Sequence, residues 1–206
     1  MDNKSINTVE NFANCGLDKD AEYLLLIELD GTITSLKEQK EEVLNLLNIA
    51  NAKNFIIDDS IAEKVWEARC SSFAAVTRLA PDVVSDDIIV SRDKLVELIK
   101  ICNEISNKYN LNMCLIGHIG DGNLHPQIAL DLDDEDQFKN YIDAKSELYS
   151  SVISLGGMIS GEHGVGIEKL PYFEKIMDSE VLNYMKLIKR SFDPKNIMNP
   201  GKMFSI

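Results

Sequence analysis

The chain has 206 residues, 45% of them apolar and 27% charged, enough for one globular domain with a sizeable core. Its net charge of −13 excludes a protein built to hold nucleic-acid phosphates or to lie on an anionic membrane, and no apolar run approaches the roughly 20 residues of a membrane span. The opening Met1-Asp2-Asn3-Lys4 lacks a signal-peptide stretch, and Cys15, Cys70, Cys102 and Cys114 form no C-x-x-C pair; reduced thiols in a cytoplasmic protein are expected.

In chain order, residues 1–20 read as a polar lead-in. Tyr23–Leu29 reads as a strand stopped by Asp30-Gly31. Ser35 with Glu38, and Ser60 with Glu63, have capping-box spacing. The first opens a helix to about Ala50. The second opens one carrying Val65, Trp66, Arg69 and Phe73 that ends before Pro81. Phe55–Ile57 between them reads as a short strand, as does Ile88–Val90. Leu95, Leu98, Ile99, Cys102 and Ile105 have helical spacing. Leu111–Ile116 and Leu124–Leu130 are strands joined by an Asp121-Gly122-Asn123 turn. Glu135–Leu155 is a helix closed by Gly156-Gly157, with the acidic run at 131–136 a solvated loop and helix start. An extended piece at Met158–Ser160, a glycine-rich loop at Gly161–Gly166 and a helix at Ser179–Phe192 complete the chain. The expected fold is α+β, a mostly antiparallel sheet with helices on one face, of ferredoxin-like type.

All three histidines, His118, His125 and His163, lie in glycine-rich segments. His118 ends one strand of the hairpin and His125 lies near the start of the next, so their imidazoles can converge on one ion. Two imidazoles alone hold a metal weakly. Glu162 offers a carboxylate, and two histidines with one carboxylate make an open site for Zn²⁺, Mn²⁺ or Fe²⁺. The competing reading is structural histidines hydrogen-bonded under tight turns. His163, beside Glu162, suits a general base, or else a third metal ligand. Gln127 shares a strand face with His125 and can donate to a substrate oxygen, unless it is an ordinary half-exposed side chain. Arg69 and Arg78 are candidates to grip an anionic substrate, with a surface salt bridge as the alternative. There is no Walker loop, and the glycines at 161, 164 and 166 do not form a dinucleotide fingerprint.

The segments Gly117–Pro126 (GHIGDGNLHP), Gly156–Gly166 (GGMISGEHGVG) and Phe192–Lys202 (FDPKNIMNPGK) together resemble the C-terminal domain of FAD-linked 2-hydroxyacid oxidases and dehydrogenases. These include the glycolate oxidase FAD subunit and D-lactate dehydrogenase, in the vanillyl-alcohol oxidase superfamily. The resemblance spans about residue 20 to the end. It implies that His118, His125 and Glu162 are metal ligands, and that His163 takes the hydroxyl proton while hydride passes from the substrate α-carbon to the flavin. It also implies that Arg69 binds the substrate carboxylate and that Asn199 approaches the flavin. D-2-hydroxyglutarate dehydrogenases differ near Phe73, Ser85 and Gln127, so a short 2-hydroxyacid such as lactate or glycolate is the better fit. Residues 21–206 would be the substrate and metal domain, with the N-terminal FAD-binding domain absent. FAD would then come from another domain or a partner chain, with an electron-transfer protein as a further partner. The interface left uncovered would expose apolar residues beside the histidine loops. The alternatives are a non-catalytic binding module, one chain of a split enzyme, and a stand-alone metallohydrolase.

Overall fold

The computed structural model describes residues 1–53 and 59–205, without the side chains of residues 59 and 60. The expected strand Phe55–Ile57 and the Ser60 cap lie outside these.

The helices are α1 (Asn3–Ala13), α2 (Ile33–Ile49), α3 (Asp59–Cys70), α4 (Ser72–Val76), α5 (Leu95–Lys108), α6 (Glu135–Ser154), α7 (Leu170–Ile176) and α8 (Ser179–Phe192). The strands are β1 (Asp82–Ser85), β2 (Ile88–Ile89), β3 (Asn112–His118) and β4 (Asn123–Leu130). All strand pairs are antiparallel, and β4 is central. Its one edge pairs with β3, from Asn112 opposite Ala129 to His118 opposite Asn123. Its other edge pairs with β1 and then β2. The fold is α+β around an antiparallel sheet.

Alternation along β3 and β4 sorts their side chains between two layers. Met113, Leu115, Leu124, Ile128 and Leu130 meet Leu98, Cys102 and Ile105 of α5 and Ala144, Leu148 and Val152 of α6 in the main core. The Leu95, Leu98, Cys102, Ile105 spacing is the buried face of α5. On the opposite face Cys114 and Ala129 meet Val76 of α4, and Val9 of α1 packs with Ala68 and Ala75. Helices therefore also cover the second face, in addition to the expected layer.

Four expectations require correction. The lead-in at residues 1–20 contains α1, whose Ile6 and Val9 are fully buried. α1 turns Ile6, Val9 and Phe12 inward on an otherwise mostly polar helix, and backbone pairing anchors it. Asp2 caps the helix by accepting from the Ser5 N–H, and it exchanges hydrogen bonds with Leu115 of β3 (Asp2 N to Leu115 O, 3.0 Å; Leu115 N to Asp2 Oδ1, 3.2 Å). Tyr23–Leu29 is not a strand beyond a single Tyr23–Asp2 bridge, and Tyr23, Leu25 and Ile27 are exposed. Among the described residues, its apolar run has no strand to pair with beyond that bridge. The helix before Pro81 breaks at Ser71 into α3 and α4. Two elements, β1 and α7, had no sequence signal strong enough to call, and Thr32 rather than Ser35 caps α2.

Glu10 fastens the far end of α1. Its carboxylate accepts the backbone N–H groups of Cys15, Gly16 and Leu17 at 2.9–3.1 Å. Burial acts to raise its pKa, but the donors at Leu17, Gly16 and Cys15 outweigh burial and hold it below the usual value. A depressed carboxyl contributes stability above the unfolded value near 4.5, and that contribution is lost as pH falls through the lower folded value. Glu10→Ala is therefore expected to cost about 1–2 kcal/mol at pH 7 in urea unfolding. The cost should shrink as the pH drops below the unfolded carboxyl range.

β1 and β2 are one edge strand interrupted at Asp86-Asp87; the ladder continues through the Asp86 N–H to Pro126 O bond (2.9 Å). The interruption sends two adjacent carboxylates to different places. Asp86 accepts a short hydrogen bond from the buried Tyr149 hydroxyl of α6, with Lys145 at 4.0 Å. Asp87 turns to the layer that carries the histidines.

Candidate metal centre

The β3–β4 connection brings the first two histidines together. It is a 3-10 turn at Ile119–Asp121 followed by Gly122 at φ +74°, so the turn is longer than the three-residue Asp-Gly-Asn expectation. Gly122 is required here twice over. A Cβ would strain a positive φ and would lie 2.1 Å from the Val90 carbonyl oxygen. Gly122→Ala is expected to lower unfolding free energy by at least about 2 kcal/mol, measured by urea denaturation.

His118, Asn123, His125 and Gln127 share one face of the hairpin. The His118 ring stands edge-on to His125, with centroids 5.4 Å apart. The second contribution comes from the loop after Ser160. Asp87, with no solvent exposure, accepts on Oδ2 from the Ser160 hydroxyl (3.1 Å) and from the N–H groups of Gly161, Glu162 and His163 (2.9, 2.9 and 2.8 Å). Lys169 Nζ lies 3.8 Å from the same oxygen and donates to the Asp87 carbonyl at 3.1 Å. Burial acts to raise the Asp87 pKa, but the His163 and Glu162 N–H donors, Lys169 and Ser160 overcome it and hold the carboxyl at about 2. The loop passes so close that a Cβ on Gly161 would meet Asn123 Nδ2 at 2.7 Å and Asp87 Oδ1 at 2.9 Å.

This clamp carries Glu162 onto the hairpin. Glu162 Oε1 lies 3.1 Å from His125 Nε2 and 3.6 Å from His118 Nε2. Ligand atoms around a tetrahedral ion at about 2.1 Å are roughly 3.4 Å apart, so the spacing fits a single cation. One ligand atom from each of the three residues falls within a 4.8 Å span. The donor set, two imidazoles and a carboxylate, suits Zn²⁺, Mn²⁺ or Fe²⁺.

The remaining predicted residues are distributed unevenly. His163 stacks parallel on His125, with centroids 5.0 Å apart and 9° between planes, and its Nε2 is 3.8 Å from Glu162 Oε1. The loop thus turns adjacent Glu162 and His163 toward the same cluster. Asp87, His125 and His163 form a second group with metal-ligand spacing. Gln127 is buried rather than half-exposed, and its Oε1 has no hydrogen-bond partner; the same holds for Asn123 Oδ1, His125 Nδ1 and Asp87 Oδ1. Buried polar atoms without partners cost about 1–3 kcal/mol each, and four in one place mark a site organised around something other than its own stability. Arg69 is half-buried at the end of α3. Burial lowers its pKa, and the charges of Cys70 and Glu162 pull it back upward. Arg78 instead stacks on the Phe12 ring at 4.4 Å. Asn199 is exposed in the final loop, which joins the glycine-rich loop through the Met203 N–H to Gly166 O bond (3.1 Å).

The His125 pKa is displaced downward. Burial, then the neighbouring His163, push it below the ordinary value by more than Asp87 and Glu162 raise it, so the ring is neutral at pH 7 and able to ligate. Sequence reasoning had missed Asp87 and Asn123. Asp-Asp before a short strand has no motif character, and only tertiary packing reveals that one of the pair receives four donors.

Comparison with known proteins decides the family. The family described as "FAD linked oxidases, C-terminal domain" matches residues 1–203. The chain belongs to this family of FAD-linked oxidase C-terminal domains. The match begins at residue 1 and so takes in α1, rather than starting near residue 20. The chain is 36% identical to "Glycolate oxidase subunit GlcD" of Bacillus subtilis, covering 100% of this chain and 44% of that protein. It is 34% identical to the subunit of the same name from Escherichia coli K12, over 98% of this chain and 41% of that one. It is 32% identical to "D-lactate dehydrogenase [cytochrome], mitochondrial" of Arabidopsis thaliana, over 87% and 32%. The chain thus spans less than half the length of these relatives. Among the described residues, no helix of this FAD-linked oxidase domain is long and apolar enough to cross a membrane.

Proposed function

We propose that this chain is the substrate- and metal-binding part of an FAD-dependent dehydrogenase that oxidises a short 2-hydroxyacid, of lactate or glycolate type, to the 2-oxoacid. The observation that carries the reading is the meeting of His118, His125 and Glu162 within the spacing of one cation. The names of the relatives supply the substrate class.

In this reading a divalent cation held by these three residues supplies Lewis acidity toward the substrate hydroxyl, and FAD, brought by a flavin-binding domain or partner chain, supplies two-electron acceptance. Arg69 binds the carboxylate, because a bidentate guanidinium matches a carboxylate. Gln127 turns its amide to a substrate oxygen. His163 accepts the hydroxyl proton at its ring nitrogen. Arg78, exposed with its guanidinium over the Phe12 ring, is a second candidate to hold the carboxylate. Asn199 faces the flavin from the closing loop. Exposed Ile119 and Ile167, within the histidine-bearing loops, supply apolar surface for the flavin-binding partner. Four free thiols suit a reducing, cytoplasmic location. A second reading of His163, as a ligand with Asp87 and His125, is favoured by the other metal-spaced group.

Calorimetric titration of the chain with Zn²⁺ and Mn²⁺ tests the proposal. One ion should bind per chain, and His118→Ala should abolish tight binding. The chain combined with the flavin-binding half of a glycolate or D-lactate enzyme should then oxidise that acid. Equal stoichiometry and affinity in His118→Ala would exclude the ligand set.

A further inference from the structure

Behind the proposed metal ligands, two buried polar atoms face each other unpaired. The His125 ring directs Nε2 outward, 3.1 Å from Glu162 Oε1, and Nδ1 inward, 3.8 Å from Asp87 Oδ1. Neither Nδ1 nor Oδ1 has a hydrogen-bond partner. The other Asp87 oxygen is fully engaged by Ser160 and three consecutive backbone N–H groups. A separation of 3.8 Å is too short for an intervening water and less than 1 Å longer than an N–H···O bond. Asp87 cannot retreat, because the loop and Lys169 hold it. The ring has only to tilt.

We propose that Asp87 is a positioning residue of the metal centre, with one oxygen for each half of the site. Oδ2 holds the loop that carries Glu162. Oδ1 accepts the Nδ1 proton of His125, and so selects the tautomer whose Nε2 lone pair points to the cation. A carboxylate behind a ligating imidazole fixes both ring orientation and basicity. The proposal rests on the metal-site reading and deepens it. It opposes the alternative in which Asp87 itself ligates with His125 and His163, because that arrangement needs Nδ1 bare.

Imidazole ¹⁵N NMR at pH 8 on the metal-free chain, in a Glu162→Ala background that removes the carboxylate 3.1 Å from Nε2, distinguishes the tautomers. Only three histidines contribute signals, and His118→Gln and His163→Gln variants assign them. His125 is expected as the Nδ1–H form. In Asp87→Asn the carboxamide oxygen can keep the loop bonds while the NH₂ group donates to Nδ1. His125 should then switch to Nε2–H, and Zn²⁺ affinity should fall about 10- to 100-fold. An Nε2–H form with Asp87 intact in that background, an unchanged tautomer on adding Asp87→Asn to it, or unchanged Zn²⁺ affinity in a folded Asp87→Asn single variant, would overturn the proposal. Should Asp87→Asn not fold, the spectrum with Asp87 intact still decides. An Nδ1–H ring in a chain that binds no Zn²⁺ would defeat the metal reading and leave the Asp87–His125 pairing standing. Tight Zn²⁺ binding with an Nε2–H ring would do the reverse.

Discussion

Glu162→Gln is expected to weaken Zn²⁺ binding by more than about 100-fold while leaving the fold intact. Glutamine has nearly the same shape, and the loop's position depends on backbone N–H groups bonded to Asp87, which the substitution keeps. What disappears is the only charge among the three proposed ligands. Glu162 Oε1 is the atom common to both histidine approaches, at 3.1 and 3.6 Å, so it is the vertex on which the site closes. A neutral amide oxygen neither attracts the cation from a distance nor offsets the cost of stripping its water. Calorimetry gives the affinity and circular dichroism checks the fold. Unchanged affinity would mean that any bound ion uses other ligands, the Asp87, His125 and His163 group first among them.

Replacing His163 by glutamine should separate the roles its ring could play. As the base, it is worth about 10²–10⁴ in kcat when the chain is combined with a flavin-binding partner and assayed with lactate or glycolate. Zn²⁺ affinity should then be retained. As a ligand, its loss would lower affinity and kcat together. The fold is expected to tolerate the change, because the His163 side chain is exposed and its stacking on His125 is the principal ring contact it makes. Steady-state kinetics beside calorimetry on the same preparation reads both quantities.

Much of this protein was legible in the sequence because its signals are local. The spacing of Leu95, Leu98, Cys102 and Ile105 specified α5 and its buried face. Alternation and a glycine-bearing turn specified the β3–β4 hairpin, and with it the approach of His118 to His125. Ser179–Phe192 is a helix with the predicted bounds, opened by an Asp178 cap. Where the signal was weak or its partner distant, the reading failed. α1 is short and mostly polar, and besides Ile6, Val9 and Phe12 it is held by Asp2 and Glu10 bonding to distant or following backbone. The apolar run at Tyr23–Leu29 has strand composition, but a strand needs a neighbour to pair with.

The sequence by itself determined which side chains could do chemistry here. Three histidines among glycines and a carboxylate beside one of them define the available donors, since ligand softness and charge belong to the residues. Only the tertiary structure decided that they meet. Glu162 is 37 residues beyond His125, and no periodicity connects them. The link is Asp87, on a broken edge strand, whose buried oxygen draws in three amides of the glycine loop. A fully buried carboxylate must find donors, and the backbone groups of that loop supply three of them. Closing those bonds sets Glu162 against the hairpin, a juxtaposition that depends on desolvation and distance rather than on residue order.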